Sequence, residues 1–180
     1  GLVVSEEKYE VHACEAEHSV TTFSYLFKEK EKPGTFYPEK ASALGVPKGK
    51  LWHKLQQGEE ITIENKSIKP SQVMGPNISG KKIGVSGDTR PTKKLEKFFR
   101  NCDYLIFDST FSDELREKAI QSCHSTAKEA AVFAKNADVK NLILTHFSAR
   151  YKDEKVLLNE AKAIHNSVIA ANDQLKIDVV

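Results

Sequence analysis

At 180 residues, 39% of them hydrophobic and 29% charged, the chain is long enough to bury a sizeable core. It holds no apolar run near the roughly eighteen residues that a membrane span needs. A formal net charge of +2 is too near neutral to announce a polyanionic partner, so a nucleic-acid function has to rest on local residues.

The chain opens at Gly1 with no Met, basic n-region or h-region, so neither an initiator nor a signal peptide is read and a cut or processed start is expected. Apolar alternation in Tyr9, Val11 and Ala13, then in Phe23, Tyr25 and Phe27, predicts two strands joined by the polar segment 15–21, which places His18 on or beside a loop. Residues 28–34 form a mixed-charge insert closed by Pro33-Gly34, and residues 40–55 read as loop-rich, with a short strand over 60–64. Lys48, Lys50 and Lys54 with Trp52 and His53 are either a solvated turn or a basic, aromatic-bearing loop able to meet RNA. A strand over 81–86 runs into Gly87-Asp88-Thr89-Arg90-Pro91, after which Leu95, Phe98 and Phe99 take helical spacing. A second apolar strand over 104–107 exits through Asp108-Ser109-Thr110-Phe111 into a helix over 113–121. Another helix follows His124, with Ser125 or Thr126 as cap and Glu129 completing a capping box if Thr126 is the cap. Asn141-Leu142-Ile143-Leu144 predicts a third buried strand, followed by a helix over 153–170 and a last strand over 175–180. Strands alternating with helices predict an α/β fold, and the wholly apolar strands predict burial on both faces. Cys14, Cys102 and Cys123 lie far apart with no C-x-x-C pair, which reads as small buried side chains in a reducing cytoplasm.

In open α/β sheets, ligands gather beyond the carboxyl ends of the strands. Asp88, His146 and His18 are expected there, and two imidazoles with a carboxylate are donors that Zn²⁺ or Mn²⁺ accept. His124, just before a helix, is a fourth candidate. Each imidazole can equally be an ordinary hydrogen-bonding group, and Asp88 can equally cap the following helix.

Four separated motifs, in order, resemble those of the tRNase Z family of the metallo-β-lactamase superfamily. They are Glu17-His18 followed by Phe23-Ser24-Tyr25; Ser86-Gly87-Asp88-Thr89-Arg90-Pro91; His124-Ser125-Thr126-Ala127; and Leu144-Thr145-His146-Phe147-Ser148-Ala149-Arg150-Tyr151. Asp108-Ser109-Thr110-Phe111 stands where the family has a similar acidic-x-Thr-Phe segment. The resemblance implies an αββα metallo-β-lactamase sandwich and a zinc-dependent endoribonuclease that removes the 3′ trailer of precursor tRNA. It implies two Zn²⁺ ions per complete site, with Mn²⁺ as a substitute. His18 binds one ion, His146 the other, and Asp88 bridges them. His124 is implied as the general acid for the leaving 3′ oxygen, and Thr89 and Arg150 as phosphate contacts. Read from the residue alone, Arg150 is equally a structural salt bridge, while His12 and His165 match no ligand position and read as structural.

The family's His-x-His-x-Asp-His signature is absent from this sequence and in the family precedes the Glu17-His18 motif. Residues 1–180 are therefore expected to be the C-terminal part of one metallo-β-lactamase-type domain, an incomplete sandwich inactive alone. It is expected to expose the sheet face that the missing part covers, and to pair with a second copy or recruit that part. The alternatives are another hydrolase or phosphodiesterase of the superfamily, or a non-catalytic module that lost its metal site.

Overall fold

The first strands follow from alternation: β1 (Leu2–Ser5), β2 (Tyr9–Glu15) and β3 (Phe23–Glu29) pair antiparallel, with Val11 opposite Phe27 and Ala13 opposite Tyr25. The structure is a computed structural model and describes residues 1–179. The chain divides into two compact units, one made of Gly1–Glu29 with the segment from Lys81 onward, the other of Lys30–Gly80.

In the second unit, the stretch read as loop-rich carries helices α1 (Pro38–Ala43) and α2 (Lys50–Gln56), ahead of a hairpin of β4 (Ile61–Ile63) and β5 (Lys66–Ile68). Helices of six or seven residues span too few turns for periodicity to declare them. Their buried residues, Ala41 and Leu55, join Val46, Ile61, Ile68 and Val73 in a small core. Trp52 packs on this core and donates its indole N–H to the Val46 carbonyl at 2.9 Å. It anchors this segment to the core of its unit. Lys48, Lys50 and Lys54 are exposed.

The first unit is a seven-stranded sheet, β1, β2 and β3 followed in order by four further strands. After the antiparallel meander, β6 (Lys82–Val85) pairs antiparallel with β3, and β7 (Tyr104–Asp108), β8 (Asn141–Thr145) and β9 (Val168–Ala170) continue in parallel. The crossovers carry α3 (Lys93–Phe98), α4 (Arg116–Gln121), α5 (Ala127–Asn136) and α6 (Lys155–Lys162). The expected capping box opens α5: Thr126 Oγ1 accepts from Glu129 N at 3.1 Å, and the Glu129 carboxylate accepts from Thr126 N at 3.0 Å. Two orphan donors are thus satisfied, and Ala130, Ala131 and Ala134, all buried, let α5 approach the sheet closely.

Leu105, Phe107, Leu142, Leu144 and Val168 lie in one core with Leu95, Phe99, Phe133 and Leu157 from the helices. Gly84 sits under this layer, where an added Cβ would stand 2.5 Å from Phe99 Cδ1 and 2.8 Å from Leu105 Cδ1. Gly84→Ala is expected to cost about 1–3 kcal/mol by overpacking, read as a lower urea midpoint with an unchanged slope. By register, the opposite face carries Tyr25, Val85, Ile106 and Ile143 in one row. Tyr25 and Val85 are 47% and 40% exposed there. Burial on both faces holds for β8 but not for β7, where Ile106 is only half-buried.

Two boundaries differ from the sequence reading. The helix placed over 153–170 stops at Lys162, and β9 takes Val168–Ala170 instead. Three residues are too few to show alternation, and pairing with β8, Leu142 opposite Val168, is what defines that strand. Residues 175–179 form no strand, although Tyr104 Oη donates to the Asp178 carbonyl at 3.4 Å; Val180 lies outside the described residues.

Candidate metal and acid–base site

Asp88, Asp108 and His146 all stand at or just beyond the carboxyl ends of β6, β7 and β8, and His124 precedes α5. Four ligand-type atoms, one each from Asp88, Asp108, His124 and His146, lie within 4.8 Å of one another. The local backbone explains the convergence. Gly87 (φ +64°) turns the chain out of β6 toward Asp88, and Cys123 (φ +57°) and His146 (φ +62°) hold left-handed conformations that non-glycine residues rarely adopt. Such strain at residues flanking or forming one cluster is what a preorganised site retains.

His146 Nε2 lies 3.5 Å from Asp88 Oδ2, and both side chains are open to solvent, at 45% and 42% exposed. Among the described residues no other polar group reaches the Asp88 carboxylate. The cap of α3 is Thr92, whose hydroxyl accepts from Leu95 N. Asp88 is therefore not the helix cap that sequence alone left open.

His18 is outside the four-residue group, but its ring packs edge-on against His124 at 4.9 Å, and His124 stacks on His146 at 4.9 Å. His18 Nδ1 lies 2.9 Å from the Cys123 carbonyl. A carbonyl only accepts, so that nitrogen carries the proton and Nε2 is left with a lone pair. His124 follows the same logic: Nδ1 donates to Asp108 Oδ2 at 2.8 Å, leaving Nε2 free.

Asp108 is the site residue that sequence reasoning passed over. Its carboxylate is fully buried and accepts Thr89 N at 3.0 Å, His124 Nδ1 at 2.8 Å, Thr110 N at 3.0 Å and Thr110 Oγ1 at 2.7 Å. With two donors on each oxygen it has no lone pair left for a cation, so it orients its neighbours and is not a ligand. Its signals in the sequence were its place at the end of a buried strand and its position in the acidic-x-Thr-Phe segment.

Thr89, expected at the RNA phosphate, is 0% exposed. Its hydroxyl accepts Glu17 N at 3.0 Å and donates to the Arg90 carbonyl at 2.9 Å. The residue is spent tying the His18 loop to the Asp88 turn and cannot reach a substrate. Arg150 lies exposed: Nε donates to Ser148 Oγ at 3.0 Å, and the guanidinium lies 5.0 Å from the Phe111 ring centre. Among the described residues no carboxylate pairs with it, so its remaining donors face outward. Tyr151 of the same motif is internal, its hydroxyl bridging Ser112 N at 2.8 Å and Ser112 Oγ at 3.0 Å. His12 pairs with Glu10 at 3.0 Å and His165 is buried between the Ser167 and Val139 carbonyls, both structural as expected.

Arg90, also missed as a site residue, donates to the His124 carbonyl and pairs bidentately with Glu129. Burial alone would raise the Glu129 carboxyl, but hydrogen bonds from Arg90 and Thr126 and the charges of Arg90 and Arg116 hold it below the usual range. A depressed folded value means that this stabilisation is complete above the unfolded carboxyl range and is lost as pH falls through the lower, folded value. Glu129→Gln should therefore unfold more readily at neutral pH, and its deficit should shrink on acidification below the ordinary carboxylate range; urea titrations across that window read it directly.

Donor chemistry fits a borderline divalent cation: an exposed carboxylate without a competing partner and imidazole nitrogens with free lone pairs. It is too small a set to close two tetrahedral shells by itself.

Comparison with known proteins places these residues in context. A family model described as a β-lactamase superfamily domain matches residues 39–147, more than half of the chain. The chain is 60% identical over 177 residues to Ribonuclease Z of Nitrosopumilus maritimus, an alignment covering 98% of this chain and 59% of that protein. It is 43% identical over 180 residues to Ribonuclease Z of Methanosarcina acetivorans, covering 99% of this chain and again 59% of the relative. The chain thus spans about three-fifths of the length of these relatives. Among solved structures, the short form of human tRNase Z superposes with a TM-score of 0.61 at 23% identity, over 99% of this chain and 46% of that one. The metallo-β-lactamase fold protein YhfI of Bacillus subtilis superposes at 0.59 with 14% identity, over 94% and 48%. At these identities the superpositions speak to fold alone, and the fold is the metallo-β-lactamase one.

Proposed function

Because this chain belongs to the β-lactamase superfamily, we propose that it carries part of the active site of a metal-dependent endoribonuclease that removes the 3′ trailer from precursor tRNA. The observation that carries this reading is the convergence of Asp88, His146 and the Asp108-bound His124 at the strand ends. The names of the relatives, both Ribonuclease Z, support the substrate. We take residues 1–180 as the C-terminal part of a single metallo-β-lactamase-type domain, with the unit Lys30–Gly80 as an insertion between β3 and β6.

In this reading His18, Asp88 and His146 would be the ligands that this chain contributes to two Zn²⁺ ions in the complete site, with Mn²⁺ as a substitute. When bound, the pair supplies an activated water and positive charge against the phosphate. The chain's own residues do the rest. His124, its Nδ1–H held by Asp108, takes a second proton onto Nε2 from solvent and, as the imidazolium, passes it to the leaving 3′ oxygen, returning to the neutral Nδ1–H form. Arg150, braced on Phe111 and Ser148, offers its outer donors to a neighbouring phosphate. All three cysteines are free, consistent with a reducing cytoplasm, and no described helix is long and apolar enough to cross a membrane. The exposed Tyr25–Val85 end of the sheet suits either a further sandwich layer or a homodimer contact.

The test joins this chain to the unmatched portion of the N. maritimus relative and supplies Zn²⁺ or Mn²⁺ with a trailer-bearing precursor tRNA. Cleavage at the trailer junction is expected. A folded, metal-loaded protein that leaves the precursor intact but hydrolyses a small ester or aryl phosphodiester would transfer the chain to another hydrolase of the superfamily, and one that binds no metal would make it a non-catalytic module.

A further inference from the structure

We propose that Thr110 is a positioning residue, whose hydroxyl fixes the tautomer of His146 and links that ligand to the carboxylate that orients His124. This deepens the nuclease reading and takes from it that His146 ligates a metal.

Thr110 Oγ1 stands 2.7 Å from Asp108 Oδ1 and 2.8 Å from His146 Nδ1. Two oxygens at the first distance repel unless a proton lies between them, and a carboxylate already accepting Thr110 N on the same oxygen has none to give. The hydroxyl therefore donates to Asp108. Its lone pairs then face His146, so Nδ1 must carry hydrogen and Nε2, the nitrogen 3.5 Å from Asp88, must carry the lone pair. The threonine is held in this geometry by its place: Ser109 N and Oγ both bond the Thr145 carbonyl, at 3.0 and 2.8 Å, which pins the end of β7 to the end of β8. Thr110 is itself buried, so water does not compete for the hydroxyl. One carboxylate thus sets both imidazoles, His124 directly and His146 through one hydroxyl, with Nε2 the open nitrogen of each.

A ligand imidazole whose second nitrogen loses its partner typically forfeits about 10–100-fold in metal affinity. Three proteins separate the possibilities: the chain as it stands, Thr110→Val, which keeps the shape and deletes the hydroxyl, and Thr110→Ser, which keeps the hydroxyl. In the metal-free chain, nitrogen NMR above the ordinary histidine titration range should show His146 as the Nδ1–H tautomer. The valine variant should lose that preference and bind Zn²⁺ about 10–100-fold more weakly in a chelator competition, and the serine variant should recover both. An Nε2–H tautomer in the unsubstituted chain overturns the proposal even if the valine variant does not fold, and so does a folded valine variant with unchanged tautomer and affinity. Neither readout involves RNA. A positive result beside an inability to cut precursor tRNA would sink the nuclease reading and leave Thr110 in place, while cleavage with an indifferent Thr110→Val would do the reverse.

Discussion

His124→Ala, in the chain joined to the unmatched portion of a relative, is expected to lower kcat for trailer removal by about 10²–10⁴-fold while leaving metal content unchanged. The expectation comes from the geometry of one ring. Nδ1 is committed to Asp108 at 2.8 Å, so in the imidazolium form Nε2 is the nitrogen of this ring left to hand a proton to the leaving oxygen. The dependence should disappear with the leaving group: an activated aryl phosphodiester departs without protonation, and its hydrolysis by the variant should stay within a few-fold of the parent. If both substrates lose activity equally, His124 is holding the metal or the fold and not delivering a proton.

Asp88→Asn has the second large consequence, on metal rather than on proton transfer. The side chain is 42% exposed and touches only His146 among the described residues, so the metal-free variant should melt within about 0.5 kcal/mol of the parent. Its affinity for Zn²⁺ should fall by more than the roughly 100-fold that a lost outer partner costs, because a ligand itself has lost its charge. Unchanged metal binding would return Asp88 to the role of a surface carboxylate. Strong destabilisation without metal would mean that the turn after β6 leans on this side chain in a way its contacts do not reveal.

The parts of the fold that sequence declared are those with a local physical signature. β2 and β3 alternate, β8 is centred on the apolar run Leu142-Ile143-Leu144, and α5 announces itself through Thr126 and Glu129, whose mutual hydrogen bonds are encoded three residues apart. β9 and the short helices of the inserted unit have no such signature, since three to seven residues hold too few repeats and their definition comes from what they pack against. The same division runs through the site. Asp88, His124 and His146 are chemically conspicuous at strand ends and helix starts. Asp108 and Thr110 are not, because their significance is a set of short contacts between β7 and residues 16 and 36 positions further along the chain. Thr89 failed in the opposite direction. A hydroxyl beside a candidate ligand looks available for phosphate until the structure shows it buried between Glu17 N and the Arg90 carbonyl.

If His146 and Asp88 hold a metal together, the ion has to sit between two side chains that stand 3.5 Å apart without it. Crystals of the completed protein soaked in Zn²⁺ and measured at the zinc absorption edge should show anomalous density about 2.0–2.2 Å from both His146 Nε2 and a carboxylate oxygen of Asp88. Zinc found elsewhere, with those two side chains facing solvent and bare, would contradict the account.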